Sequence, residues 1–227
     1  MPDATTAALI DHIRAVASIM PVCGFYLQIA AGGRPLGAAF WQRFVEIENV
    51  VAIKIAPFNR YDTLDVVHAV AGSGRADEIA LYTGNDDHIL LDLLTPFDLG
   101  AAGPPLRIVG GLLGHWAIWT QRAVEQHAEC RRVAQSGGPI PGELLATAAQ
   151  VTDANAAVFD PQHRFAGCLP GIHEVLHRQG LLEGTWCLDE TAALSPGQSE
   201  AIDRIWATYP QLRDDRFIQE HLDDWLR

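Results

Sequence analysis

Lysine is nearly missing from this chain: of its 16 basic residues only Lys54 is a lysine, and the others are arginines. Positive charge is short overall, with 16 basic against 28 acidic residues in 227 and a net charge of -12. Neutralising a nucleic-acid backbone takes a basic patch, so this deficit excludes a nucleic-acid partner of the ordinary kind. The acidity does favour solubility. Cysteine is scarce too. Cys23, Cys130, Cys168 and Cys187 form no C-x-x-C pair and no metal-ligand spacing, which predicts reduced, mostly buried thiols in a cytoplasmic protein. No basic segment followed by an apolar one opens the sequence, and no apolar run is long enough for a bilayer, so neither a signal peptide nor a membrane partner is expected. Internal repeats and low-complexity stretches are absent as well.

What is present is ordinary core material, 48% hydrophobic with 19% charged. Residues 4–19 place Ala8, Leu9, Ile13, Val16 and Ile19 at helical spacing until Pro21 intervenes. Strands are predicted at VCGFYLQIA, VVAIKIA, EIALYTG and RIVGGLLG, each followed by a helical segment: AAFWQRFVEI, TLDVVHAVAG, DDHILLDLL and residues 115–135. The second strand is apolar throughout, as expected of a parallel strand covered on both faces. Alternation of this kind means parallel βαβ units, an α/β architecture. After Gly137-Gly138-Pro139 only helices are predicted, at about 143–158, 171–180, 196–208 and 214–226. The domain division is therefore 1–138, the strand-helix region, and 139–227, a helical region.

Lys54 sits in the middle of an apolar strand, where lysines are rare unless paired or used. Burial disfavours an ammonium, and imine chemistry with a carbonyl compound needs the neutral amine. A plainer reading also stands: a composition that favours arginine, and a lysine that snorkels to water from a strand end. Tyr26, late in the preceding strand, would lie at the same end of a parallel sheet, where α/β folds build their sites, and could pass a proton; it could equally be a core tyrosine. Thr83-Gly84-Asn85-Asp86-Asp87 follows the third strand, and Asn85 or Asp86 could simply cap the next helix. His88 with Asp86 and Asp87, or with His115, matches no metal motif, and no metal is expected. Gly110, Gly111 and Gly114 form neither a P-loop nor a dinucleotide fingerprint.

Taken together, Tyr26 late in one strand, Lys54 about 28 residues on in an Ile-Lys strand, and a strand ending in Gly84-x-Asp86 resemble the dihydrodipicolinate synthase/N-acetylneuraminate lyase family. The likeness runs from about residue 8 to about residue 135, most clearly through PVCGFYLQ, NVVAIKIAPFN and IALYTGNDD. It implies the C-terminal half of a TIM (β/α)8 barrel, strands five to eight, followed by a helical C-terminal extension. Lys54 would then form a Schiff base with pyruvate or a related 2-keto acid, as the catalytic nucleophile of a lyase or aldolase. Tyr26 would relay protons, while Gly84, Asn85, Asp86 and Asn59 would contact the substrate. The resemblance implies no cofactor and a homo-oligomer.

Three departures accompany it. Tyr26 is followed by Leu27-Gln28-Ile29-Ala30-Ala31 rather than Asn-x-Pro and an arginine, with Arg34 further on. Ile55 stands after the lysine, where the family commonly has an acid. A complete barrel takes ~250 residues, and strands one to four have no counterpart here. Truncation and an inactive chain are the resulting expectation. The alternative is a non-catalytic half-barrel protein with a scaffolding or regulatory role through dimerisation.

Overall fold

Thr5 starts the first helix by accepting the Ala8 N–H on its hydroxyl at 3.2 Å, a side-chain cap on one of the unpaired donors of the first turn. In the computed structural model, which describes residues 4–100 and 104–227, this helix is α1 (Thr6–Ala17). Met1-Pro2-Asp3 and residues 101–103 of the Gly/Pro-rich loop lie outside the described residues. The chain continues through β1 (Val22–Leu27), α2 (Ala38–Val45), β2 (Val50–Ala56), α3 (Arg60–Gly72), β3 (Ala80–Thr83), α4 (Ile89–Leu94) and β4 (Ile108–Gly111). Helices alone follow: α5 (Thr120–Ser136), α6 (Gly142–Phe159), α7 (Cys168–Arg178), α8 (Gln198–Thr208) and α9 (Asp215–Trp225). Several boundaries differ from the sequence reading by two or three residues, and two differences are structural. Ile29–Ala31 is a 3-10 turn and not the end of β1, and the helix expected from residue 115 starts at Thr120. There Trp119, in a left-handed conformation at φ 50°, separates α5 from the 3-10 turn Gly114–Ala117.

Contacts divide the chain into two compact units, Met1–Asn85 with Asp92–Leu112, and Asp86–Leu91 with Leu113–Arg227. The first holds one sheet, all parallel, in the order β1-β2-β3-β4. Its register aligns Phe25, Lys54 and Tyr82 in one row across three strands, and Tyr26, Ile55 and Thr83 in the next. Side chains alternate between faces along a strand, so the two rows point in opposite directions.

One face is well covered. Gly24 leaves room for Phe44 of α2, since a Cβ there would stand 2.6 Å from that ring, and Tyr26 packs at 5.1 Å on Trp41. Ile53, Ile55 and Leu81 are buried in the same layer. The other face is less closed: Phe25, in the Lys54 row, is 48% exposed. The expectation that the sheet is covered on both sides therefore fails. The cysteines also differ from expectation, because all four are free but only Cys130 is buried.

Polar groups lock the connections of this unit. Arg75 donates from Nη1 to the carbonyls of Val45 and Ile47, and from Nη2 to those of Glu48 and Val50, at 2.7–3.0 Å. One guanidinium thus serves four carbonyls around the α2–β2 turn, which a lysine could not match in geometry. At the opposite end of the strands, the fully buried Asp92 carboxylate accepts from the Thr83 hydroxyl at 2.6 Å, from the Asn85 amide at 3.1 Å and from Arg60. Asn85 in turn accepts the Phe58 N–H at 3.0 Å, holding Phe58 in a left-handed conformation (φ 54°) that is strained for a residue with a side chain.

The second unit is built round α6, which packs on α7 and α8 and buries Leu144, Val151, Ala154 and Val158. Asp214 accepts the Gln121 N–H at the start of α5 and the Gln179 amide at the end of α7. His115 is buried here, edge-on to Trp119 and 3.5 Å from the Asn155 amide, and burial pulls its imidazole down to about 4.

Two outcomes follow from these buried polar groups. Asp92→Ala strands Thr83, Asn85 and Arg60, and should lower the unfolding free energy by about 3 kcal/mol, with Asp92→Asn milder; urea melts measure both. His115 stays neutral in the folded chain while its unfolded counterpart takes a proton near pH 6.5. Its contribution is therefore complete above pH 6.5 and drains away as pH falls to about 4, a loss of about 3 kcal/mol by linkage. A His115→Gln variant should show a visibly flatter stability curve across that window.

Candidate functional site

The row Phe25–Lys54–Tyr82 lies on the more open face of the sheet, towards the C-terminal ends of its strands. Lys54 is half-buried and not buried as its apolar strand suggested. Its Nζ stands 4.2 Å from the centre of the Phe25 ring. Gly84 completes the surroundings: a Cβ on it would come within 2.6 Å of Lys54 Cε and 2.7 Å of Ala56 Cβ. The lysine stem therefore lies across a bare backbone, and the sequence-predicted pair of Lys54 and Gly84 does meet.

Tyr26 goes the other way. It is 3% exposed in the helix-facing layer, and its hydroxyl accepts the Leu36 N–H at 3.2 Å. Burial pushes its phenol above the ordinary value, against the lowering effect of that hydrogen bond. Tyr26 and Lys54 sit on adjacent strands but on opposite faces, so the sheet does not bring them together. Tyr82, which the spacing argument passed over, is paired with Lys54 in register and shares its face. Only the strand pairing exposes this, because motif spacing carries no register.

The remaining expected residues have structural partners. Asn59 is exposed and caps α3, accepting the Tyr61 N–H at 2.9 Å. Asn85 is fully buried in the Asp92 cluster and is not a helix cap. Asp86 lies in the second unit, where it accepts the backbone N–H of His115 at 2.8 Å. Asp86 and His115 thus do meet, but through the main chain. Among the described residues no three His, Cys, Asp or Glu side chains gather as a metal-ligand set. Gly110 and Gly111 belong to β4, and Gly110 is paired with Tyr82. On the loop after β1, Arg34 has a guanidinium nitrogen buried without a partner.

No protein-family model and no curated protein matches the sequence. Solved structures do match by shape. Dihydrodipicolinate synthase from Bacteroides thetaiotaomicron aligns with a TM-score of 0.64 at 14% identity, over 90% of this chain and 62% of that one. A variant of 2-keto-3-deoxygluconate aldolase from Sulfolobus solfataricus gives 0.61 at 15% identity, over 93% of this chain and 64% of that one. The chain spans a little under two thirds of the length of these neighbours. Among the described residues no helix is long and apolar enough to cross a membrane. Identities this low speak for the fold. With its parallel four-stranded sheet, flanking helices and helical C-terminal region, the chain has the fold of part of a dihydrodipicolinate synthase-type (β/α)8 barrel.

Proposed function

We propose that this chain carries the imine-forming centre of a class I lyase or aldolase, with Lys54 as the nucleophile towards pyruvate or a related 2-keto acid. The observation that carries the reading is the placement of the chain's one lysine. It stands late on a strand of a parallel sheet, half-buried, with its stem along Gly84 and its amine against an aromatic ring. The C-terminal ends of parallel strands are where barrels of this architecture hold their chemistry. Binding and imine formation are proposed for this chain, and full turnover is not.

A second reading rests on the more open face of the sheet. The exposure of Phe25 suits a non-catalytic role in which a homo-oligomer covers it. Sedimentation of the purified chain separates the two, since a monomer that forms the imine has no need of that cover.

The direct test of the first reading is reduction with borohydride in the presence of pyruvate, followed by intact-mass measurement. A single pyruvate-sized adduct is expected on the wild-type chain and none on Lys54→Ala. A folded wild-type chain that gains no mass with any of several 2-keto acids would sink the assignment.

A further inference from the structure

We propose that Tyr82, and not Tyr26, is the proton-transfer residue for Lys54; this rests on the Schiff-base reading above and names a second catalytic residue within it. The sheet register carries the argument. Lys54 pairs with Tyr82 on one side and with Phe25 on the other, and in-register neighbours on parallel strands point to the same face. The contact of Lys54 Nζ with the Phe25 ring confirms that face for the first pair. Gly84 confirms it for β3, because it lies two residues after Tyr82 and presents its missing Cβ to the Lys54 stem.

Within this row Tyr82 is the one residue paired with the lysine whose side chain can both give and take a proton. Phe25 has no such group, and Gly110, paired with Tyr82 on its far side, has no side chain. Tyr82 is half-buried, and its hydroxyl makes no hydrogen bond to a described residue. Tyr26 is excluded by direction: it faces the helices, where it packs on Trp41 and its hydroxyl accepts the Leu36 N–H.

The step balances as follows. The Lys54 amine adds to the keto carbon, forming a C–N bond while the carbonyl oxygen takes the Tyr82 proton. The nitrogen then returns a proton to the phenolate, giving a neutral carbinolamine. Tyr82 next protonates the departing hydroxyl, the C–O bond breaks, and water leaves as the imine forms. One water is released per imine, and the protonated nitrogen of the imine is free to restore the phenol.

The test is the rate of reductive trapping with pyruvate and cyanoborohydride, followed by intact mass over time and across pH, on the full chain. Tyr82→Phe should slow adduct formation at least tenfold and flatten its pH profile, with an unchanged thermal melt; proton transfer by a positioned group contributes at that scale or above. Tyr26→Phe should trap at the wild-type rate. Tyr82→His, which restores a proton donor with an ordinary value near 6.5, should recover part of the rate with the profile moved towards neutral pH. A Tyr82→Phe chain that traps within twofold of wild type at every pH, or a comparable loss in Tyr26→Phe, overturns the assignment of Tyr82 while leaving Lys54 as nucleophile. Absence of any adduct on the wild type removes both.

Discussion

Backbone hydrogen bonds hold four short parallel strands in a fixed register, and that register leaves each side chain a choice of only two faces. In this chain the choice separates two kinds of surroundings. Gly24 and Tyr26 meet the aromatic residues of α2, and Ile53, Ile55 and Leu81 are buried on the same side of the sheet. Phe25, Lys54 and Tyr82 emerge on a face that stays partly open. A slip of one residue on β2 would exchange the two sets, sending a lysine into the aromatic layer and an isoleucine to the open face. Burying an unpaired ammonium in that layer is costly enough to make the observed register the stable one.

The architecture was largely legible in the sequence. Apolar runs bounded by glycine, proline and asparagine located all four strands, and helical periodicity located the helices of the C-terminal region. What spacing could not deliver was the facing of Tyr26. Tyr26 and Lys54 lie on different strands, and their relative facing depends on the register. That register carries a shift between Val22 and Cys23, which no count along the sequence reveals. A tyrosine next to a phenylalanine at a strand end offers two candidates of opposite direction, and the motif selected the one that turns away.

Burial is not legible in the strand for a related reason. An apolar strand reads as covered on both faces, but Lys54 is half-buried and its row neighbour Phe25 is 48% exposed. The polar cluster around Asp92 was invisible for another. Asp92 lies within a helix, where an acid reads as surface, and its partners Arg60, Thr83 and Asn85 are scattered along the chain. Asn85 consequently looked like a cap or a substrate contact, whereas its amide spans Asp92 and the Phe58 N–H. Side chains that join distant loops leave no periodic trace.

Gly84 has a bearing on how this sheet can change over evolutionary time. The space a methyl group would need there is already filled by Lys54 Cε and Ala56 Cβ. Enlarging the residue would therefore move the lysine before it disturbed anything else, or push β2 and β3 apart. Position 84 and position 54 are thus bound to drift together: the amine keeps its direction only while its neighbour on the next strand remains without a side chain.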